Sequence, residues 1–164
     1  MLRLVLCAAL VACCLADCKP PSTELHVESC AKDVQITFDP ASVSVEPYPA
    51  DPAVPLKLKF TATNNGEQVD MAYIDIGLEY YGNLFWKCGW HSIPIPLKNL
   101  DACKLVGNCP FKKGTTDNVA TIDLTPFAKI IETLASNTYY RLKMNLHTKD
   151  GKTLQCIQAD FLLK

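Results

Sequence analysis

The chain has 164 residues, 49% of them hydrophobic and 20% charged, with a formal net charge of −1. That length and composition fit one globular domain with a real core and exclude a disordered chain. Balanced charge without a basic block excludes nucleic acid as an expected partner.

The N-terminus carries one positive residue, Arg3, then an apolar run from Leu4 to Leu15, with small residues Cys14 and Ala16 before Asp17. This order predicts a secretory signal peptide over residues 1–16 and a mature domain over 17–164. The run falls short of the ~20 residues that span a bilayer. Removing the leader takes Cys7, Cys13 and Cys14 with it and leaves Cys18, Cys30, Cys88, Cys103, Cys109 and Cys156. An even set in an exported chain predicts three disulfides, for which six cysteines allow 15 pairings. No CxxC pair or histidine at ligand spacing accompanies them, so no metal and no cofactor is expected.

Period-two alternation follows along the chain. Val34, Ile36 and Phe38 begin it, and four prolines (Pro47, Pro49, Pro52 and Pro55) then mark an edge or crossover. Leu56, Leu58, Phe60 and Ala62 form the next strand, and Asn64-Asn65-Gly66 reads as a hairpin turn. Ala72, Ile74, Ile76, Leu78 and Tyr80 alternate with polar neighbours, as do Tyr140, Leu142, Met144 and Leu146. Between these strands, Phe85 to Leu97 packs aromatics and isoleucines around Pro94 and Pro96. That stretch reads either as a strand end with core aromatics or as the mouth of a pocket. Residues 126–136 instead show helical spacing at Phe127, Ile130, Ile131 and Leu134, after Thr125 as N-cap and Pro126 at the first helical position. Lys149-Asp150-Gly151 makes the last turn. A two-residue turn there sets Met144 opposite Ile157; a three-residue loop sets it opposite Cys156 and turns Leu154 inward.

These elements predict an all-β fold: an immunoglobulin-like sandwich of two antiparallel sheets, with seven or eight short strands and one short helix. Catalytic signatures are missing. His26, His91 and His147 lie far apart, His147 on the polar face of its strand, and no nucleophile elbow, HExxH or phosphate loop occurs. A non-enzyme is expected.

Two stretches carry a family resemblance. Cys103-Lys104-Leu105-Val106-Gly107-Asn108-Cys109-Pro110 and its continuation Phe111-Lys112-Lys113-Gly114-Thr115 resemble the small disulfide loop of the ML (lipid-recognition) family. Ile93-Pro94-Ile95-Pro96, the Gly82–Cys88 segment and the hairpin from Tyr140 to Ile157 are similar to it too. The matching members are a ganglioside activator and a lysosomal sterol carrier.

The resemblance implies Cys30–Cys156 and Cys103–Cys109 bridges, leaving Cys18 with Cys88 by subtraction. It also implies sheets that splay around an apolar cavity holding one lipid, a glycolipid or phospholipid ahead of a sterol. On that implication the cavity candidates are Phe60, Ile74, Ile76, Leu78, Phe85, Trp86, Ile95, Leu97, Leu124, Phe127, Leu142 and Met144. Phe127, Ile130, Ile131 and Leu134 become candidates for a lid or membrane-facing surface. Expected partners are the lipid, a transient membrane surface, and a lipid hydrolase or lipid-accepting protein. Secretion is expected, with the lysosome as the other destination. No Asn-X-Ser/Thr site occurs, since Asn108-Cys109-Pro110 and Asn137-Thr138-Tyr139 both fail the pattern, and this favours plain secretion. The competing expectation is an adhesion or receptor-binding sandwich with a solid core.

Overall fold

The computed structural model describes residues 18, 19, 22, 24–84, 87–134 and 138–163. The expected leader lies outside them. Two antiparallel sheets face each other. The first runs in the order β1 (His26–Ser29), β10 (Thr153–Leu162), β9 (Tyr139–His147), β5 (Tyr73–Leu84) and β6 (Lys87–Ile93). The two-residue β7 (Leu100–Asp101) pairs with the start of β5. In the second sheet, β4 (Leu56–Asn64) is central. Its full length pairs with β8 (Gly114–Ile122), and its other edge takes β2 (Ile36–Phe38) and β3 (Ser44–Glu46) at opposite ends.

The alternation read from the sequence becomes the packing. On β5, Ile76 and Leu78 are each 1% exposed, while Asp75 and Glu79 face outward into ion pairs with Lys98 and Lys143. Among the described residues ten strands form where seven or eight are expected, because β3 and β7 are too short, at three and two residues, to show a period.

The predicted hairpin at Asn64-Asn65-Gly66 is not one, since β4 and β5 belong to different sheets. The turn itself is real. Asn64 Oδ1 accepts from the Gly66 N–H at 3.0 Å, and Asn64 Nδ2 donates to the carbonyls of Glu67 and Phe111. Those bonds redirect the chain toward the other sheet. The proline-rich stretch links β3 to β4, with β3 on an edge and cis peptides before Pro47 and Pro49.

The last hairpin combines both registers left open. The loop has three residues, with Gly151 at φ 85° and the Thr148 N–H donating to the Lys152 carbonyl at 3.0 Å. A second irregularity between Thr153 and Gln155 then adds one residue to β10. Met144 therefore faces Ile157 after all, and Leu154 turns inward to 1% exposure.

Among the described residues two short α-helices form, besides a 3₁₀ turn at Pro40–Ser42. The expected one is a 3₁₀ turn at Thr125–Phe127 running into α2 (Ala128–Leu134). Its start is held by Asp123 rather than Thr125: Asp123 Oδ1 accepts from both the N–H and the hydroxyl of Thr125. The other, α1 (Ala102–Val106), is a single turn inside the Cys103–Cys109 loop. The remaining bridges are Cys30–Cys156 and Cys18–Cys88.

Outside the first sheet, Arg141 grips Asp160 with two bonds of 2.7 Å and stacks over Trp90 at 4.0 Å. The carboxylate beside it raises the guanidinium pKa and holds its charge firmly. Both side chains are largely buried, at 19% and 9% exposure. Asp160→Asn should cost about 3 kcal/mol, because it strands a desolvated cation rather than merely losing a bond. Urea unfolding checks this; a loss under ~1 kcal/mol would mean the pair behaves as a surface bridge.

Candidate functional site

Cross-strand register arranges the inner face of the first sheet in rows. Tyr80, Tyr140 and Phe161 form one row and Leu78, Leu142 and Ala159 the next. Then come Ile76, Met144 and Ile157, and finally Ile74, Leu146 and Gln155. The first two rows pack tightly against Val45, Leu56, Leu58, Leu124 and Ile131 in a continuous core. Over the last two rows the sheets part. A cavity of about 480 Å³ opens there, walled on the second sheet by Phe38, Phe60, Ala62, Ala120 and Ile122.

The helical turn α1 supplies the third wall through Leu105 and Val106. Asp101 caps it, its Oδ1 accepting from the Cys103 N–H at 3.0 Å. Gly107 ends it in the left-handed region at φ 69°, where a side chain would strain the backbone. The Ala102 N–H donates to the Ala72 carbonyl, which holds the turn on the first sheet. The Cys103–Cys109 bridge closes the loop on itself. Exposed Asn108, Lys112, Thr116 and Asp117 surround the opening.

Charge is confined to that rim. Lys112 and Asp117 are the charged lining residues among those described, and both are exposed. The buried polar groups of the wall are Asn64, Asn118 and Gln155. Asn64 is satisfied by the turn bonds described above, and Asn118 Nδ2 donates to the Thr116 carbonyl at 2.9 Å. An uncharged wall of this kind takes apolar ligands at little desolvation cost.

Of the twelve cavity candidates, Phe60, Ile74, Ile76 and Met144 line this space. Leu78, Ile95, Leu124 and Leu142 sit in the packed core instead, with Leu97 and Phe127 against it. Alternation selects the inner face of a strand, but not where along that face the sheets separate. Phe85 and Trp86 lie outside the described residues. In the Ile93–Leu97 stretch, Ile93 and Ile95 join the core at 4% and 8% exposure, while Pro94 and Pro96 are exposed. The opening lies at α1 and β8.

The four lid candidates separate as well. Ile131 is fully buried, and its carbonyl accepts from the Tyr140 hydroxyl at 3.2 Å. Ile130 is 47% exposed. Phe127 is half-buried, and Leu134 closes α2, its side chain outside the description. Lid candidates on one helical turn therefore face opposite ways, because a one-sided helix must bury part of its apolar face on the sandwich.

Sequence reasoning missed Leu105, Val106, Phe111, Leu146, Gln155 and Ile157 in the lining. The apolar Leu105-Val106 pair inside a six-residue disulfide loop was the available signal. His147, expected on a polar and exposed face, is buried to 8% exposure, stacked on Tyr73 and 3.5 Å from Asp75. Among the described residues, no three His, Cys, Asp or Glu side chains gather as metal ligands would.

The sandwich, its three bridges and the parted sheets define a class of disulfide-bonded β-sandwich with an internal apolar space. The family model of the ML domain matches residues 24–163, and the chain belongs to that family. The fold resembles a Niemann-Pick type C2 protein from Japanese carpenter ant, with 17% identity and a TM-score of 0.51 over 84% of this chain and 98% of that one. A structure of chicken MD-1 complexed with lipid IVa is also similar, at 15% identity and a TM-score of 0.42, covering 88% and 93%. No protein with a curated description matches significantly.

Proposed function

We propose that this protein is an exported lipid carrier that takes one lipid between its sheets and acts by binding rather than catalysis. The observation that supports this most is the cavity of about 480 Å³, uncharged inside and charged only at its rim. Its size falls within the ~300–1,000 Å³ of small-molecule sites. An acyl chain of about 14 methylenes buried there gains roughly 11 kcal/mol gross, at ~0.8 kcal/mol each. Membership of the ML family supports the same reading.

Three disulfides favour an oxidising compartment, the outside of the cell or the lysosome. Among the described residues no helix is long and apolar enough to cross a membrane. Contact with a bilayer would be transient, and half-exposed Ile130 is the member of the lid set placed to make it. Incubating the purified chain with vesicles carrying a self-quenched fluorescent phospholipid tests the carrier reading. Dequenching that saturates near one lipid per chain is expected. No transfer of phospholipid, glycolipid or sterol probes at micromolar protein would overturn it.

A further inference from the structure

Among the described residues, Gln155 is the buried lining residue whose polar end the fold leaves unanswered. It lies in the last row of the first sheet, opposite Leu146, and is 5% exposed. The Cys156 N–H donates to its Oε1 at 2.8 Å, a bond created by the irregularity just before it in β10. That contact fixes the amide orientation, because a backbone N–H needs an acceptor. The Nε2 group is consequently the free end, and it is buried with no hydrogen-bond partner among the described residues.

Its position is informative. Gln155 lines the cavity from β10, two strands beyond β5 in the first sheet. A buried donor left unmet in the wall of a largely apolar cavity is costly. A ligand oxygen arriving there would recover that cost.

Resting on the carrier reading above, we propose that the cavity selects a neutral lipid that brings a hydrogen-bond acceptor into it, and that Gln155 Nε2 donates to that acceptor. A hydroxyl or carbonyl on a long chain fits this chemistry. An ionised carboxylate does not. The described charged lining residues are at the exposed rim, so one amide would face the whole desolvation of the anion.

The test compares 1-hexadecanol, hexadecane and palmitate at pH 7.5 as competitors for a bound fluorescent lipid, in the wild type and in Gln155→Met. The expected preference for hexadecanol over hexadecane falls at least tenfold in Gln155→Met, and palmitate binds weakest in the wild type. A second measurement needs no variant: the Gln155 side-chain amide NMR signals of the wild type should move on adding hexadecanol and stay put with hexadecane. An unchanged preference in Gln155→Met, unmoved amide signals, or palmitate binding above hexadecanol would overturn the inference while leaving the carrier reading intact. Failure of the wild type to bind any of the three would overturn both.

Discussion

Replacing Cys30 or Cys156 with Ala should remove most of the secreted yield, whereas Cys103→Ala should leave the majority. The Cys30–Cys156 bridge spans 126 residues, so opening it releases a far larger loop in the unfolded chain than opening Cys103–Cys109, which spans 6. Chain entropy puts the two losses at about 5 and about 2 kcal/mol. A domain of this size has roughly 5–15 kcal/mol in all. Position adds to the effect. Cys30 follows β1, the edge strand that covers β10, and its N–H donates to the Cys156 carbonyl at 3.0 Å. Secreted yield and urea midpoints of the three variants give the comparison. Equal losses, or free thiols at both Cys30 and Cys156 in secreted material, would contradict it.

A pair of alanine substitutions should separate the hollow half of the sandwich from the solid half. Ala62 lines the cavity on β4, and Ala159 sits in the packed second row at 1% exposure. Ala62→Phe places a ring where space exists, so the fold should tolerate it. The ring occupies room for about six ligand carbons. At ~0.8 kcal/mol per methylene that removes several kcal/mol of binding, a loss of more than a hundredfold. Ala159→Phe has no such room and should destabilise the fold by about 1–3 kcal/mol or more through overpacking. Lipid titration and thermal unfolding together read the outcome. Reversed phenotypes would place the cavity at the other end of the sandwich.

Much of the sandwich was legible because alternation is a local property. Ile74, Ile76, Leu78 and Tyr80 declare one face of β5 whatever the rest of the chain does. Which strand pairs with which is not local, and so Asn64-Asn65-Gly66 read as a hairpin although its flanking strands lie in different sheets. The final hairpin shows the same limit: a turn and a later irregularity offset each other, and neither alone determines the facing of Met144. The cavity was legible only as a family expectation. Leu142 and Met144 are adjacent inward residues of one strand, yet the first is packed solid and the second lines open space. That difference is set by α1 and β8 across the sandwich, which no periodicity in β9 can encode. Gln155 was not singled out for a related reason, since the two readings of the turn put it on opposite faces of the strand.

The central claim is that the space between the sheets holds lipid. Native mass spectrometry of the protein purified from culture medium, before and after organic extraction, tests it most directly. The account predicts an adduct of one lipid per chain, released by extraction, identifiable in the organic phase and missing from Ala62→Phe. A protein that carries no lipid as purified, takes up none when offered a mixed lipid extract, and behaves identically to Ala62→Phe would contradict it.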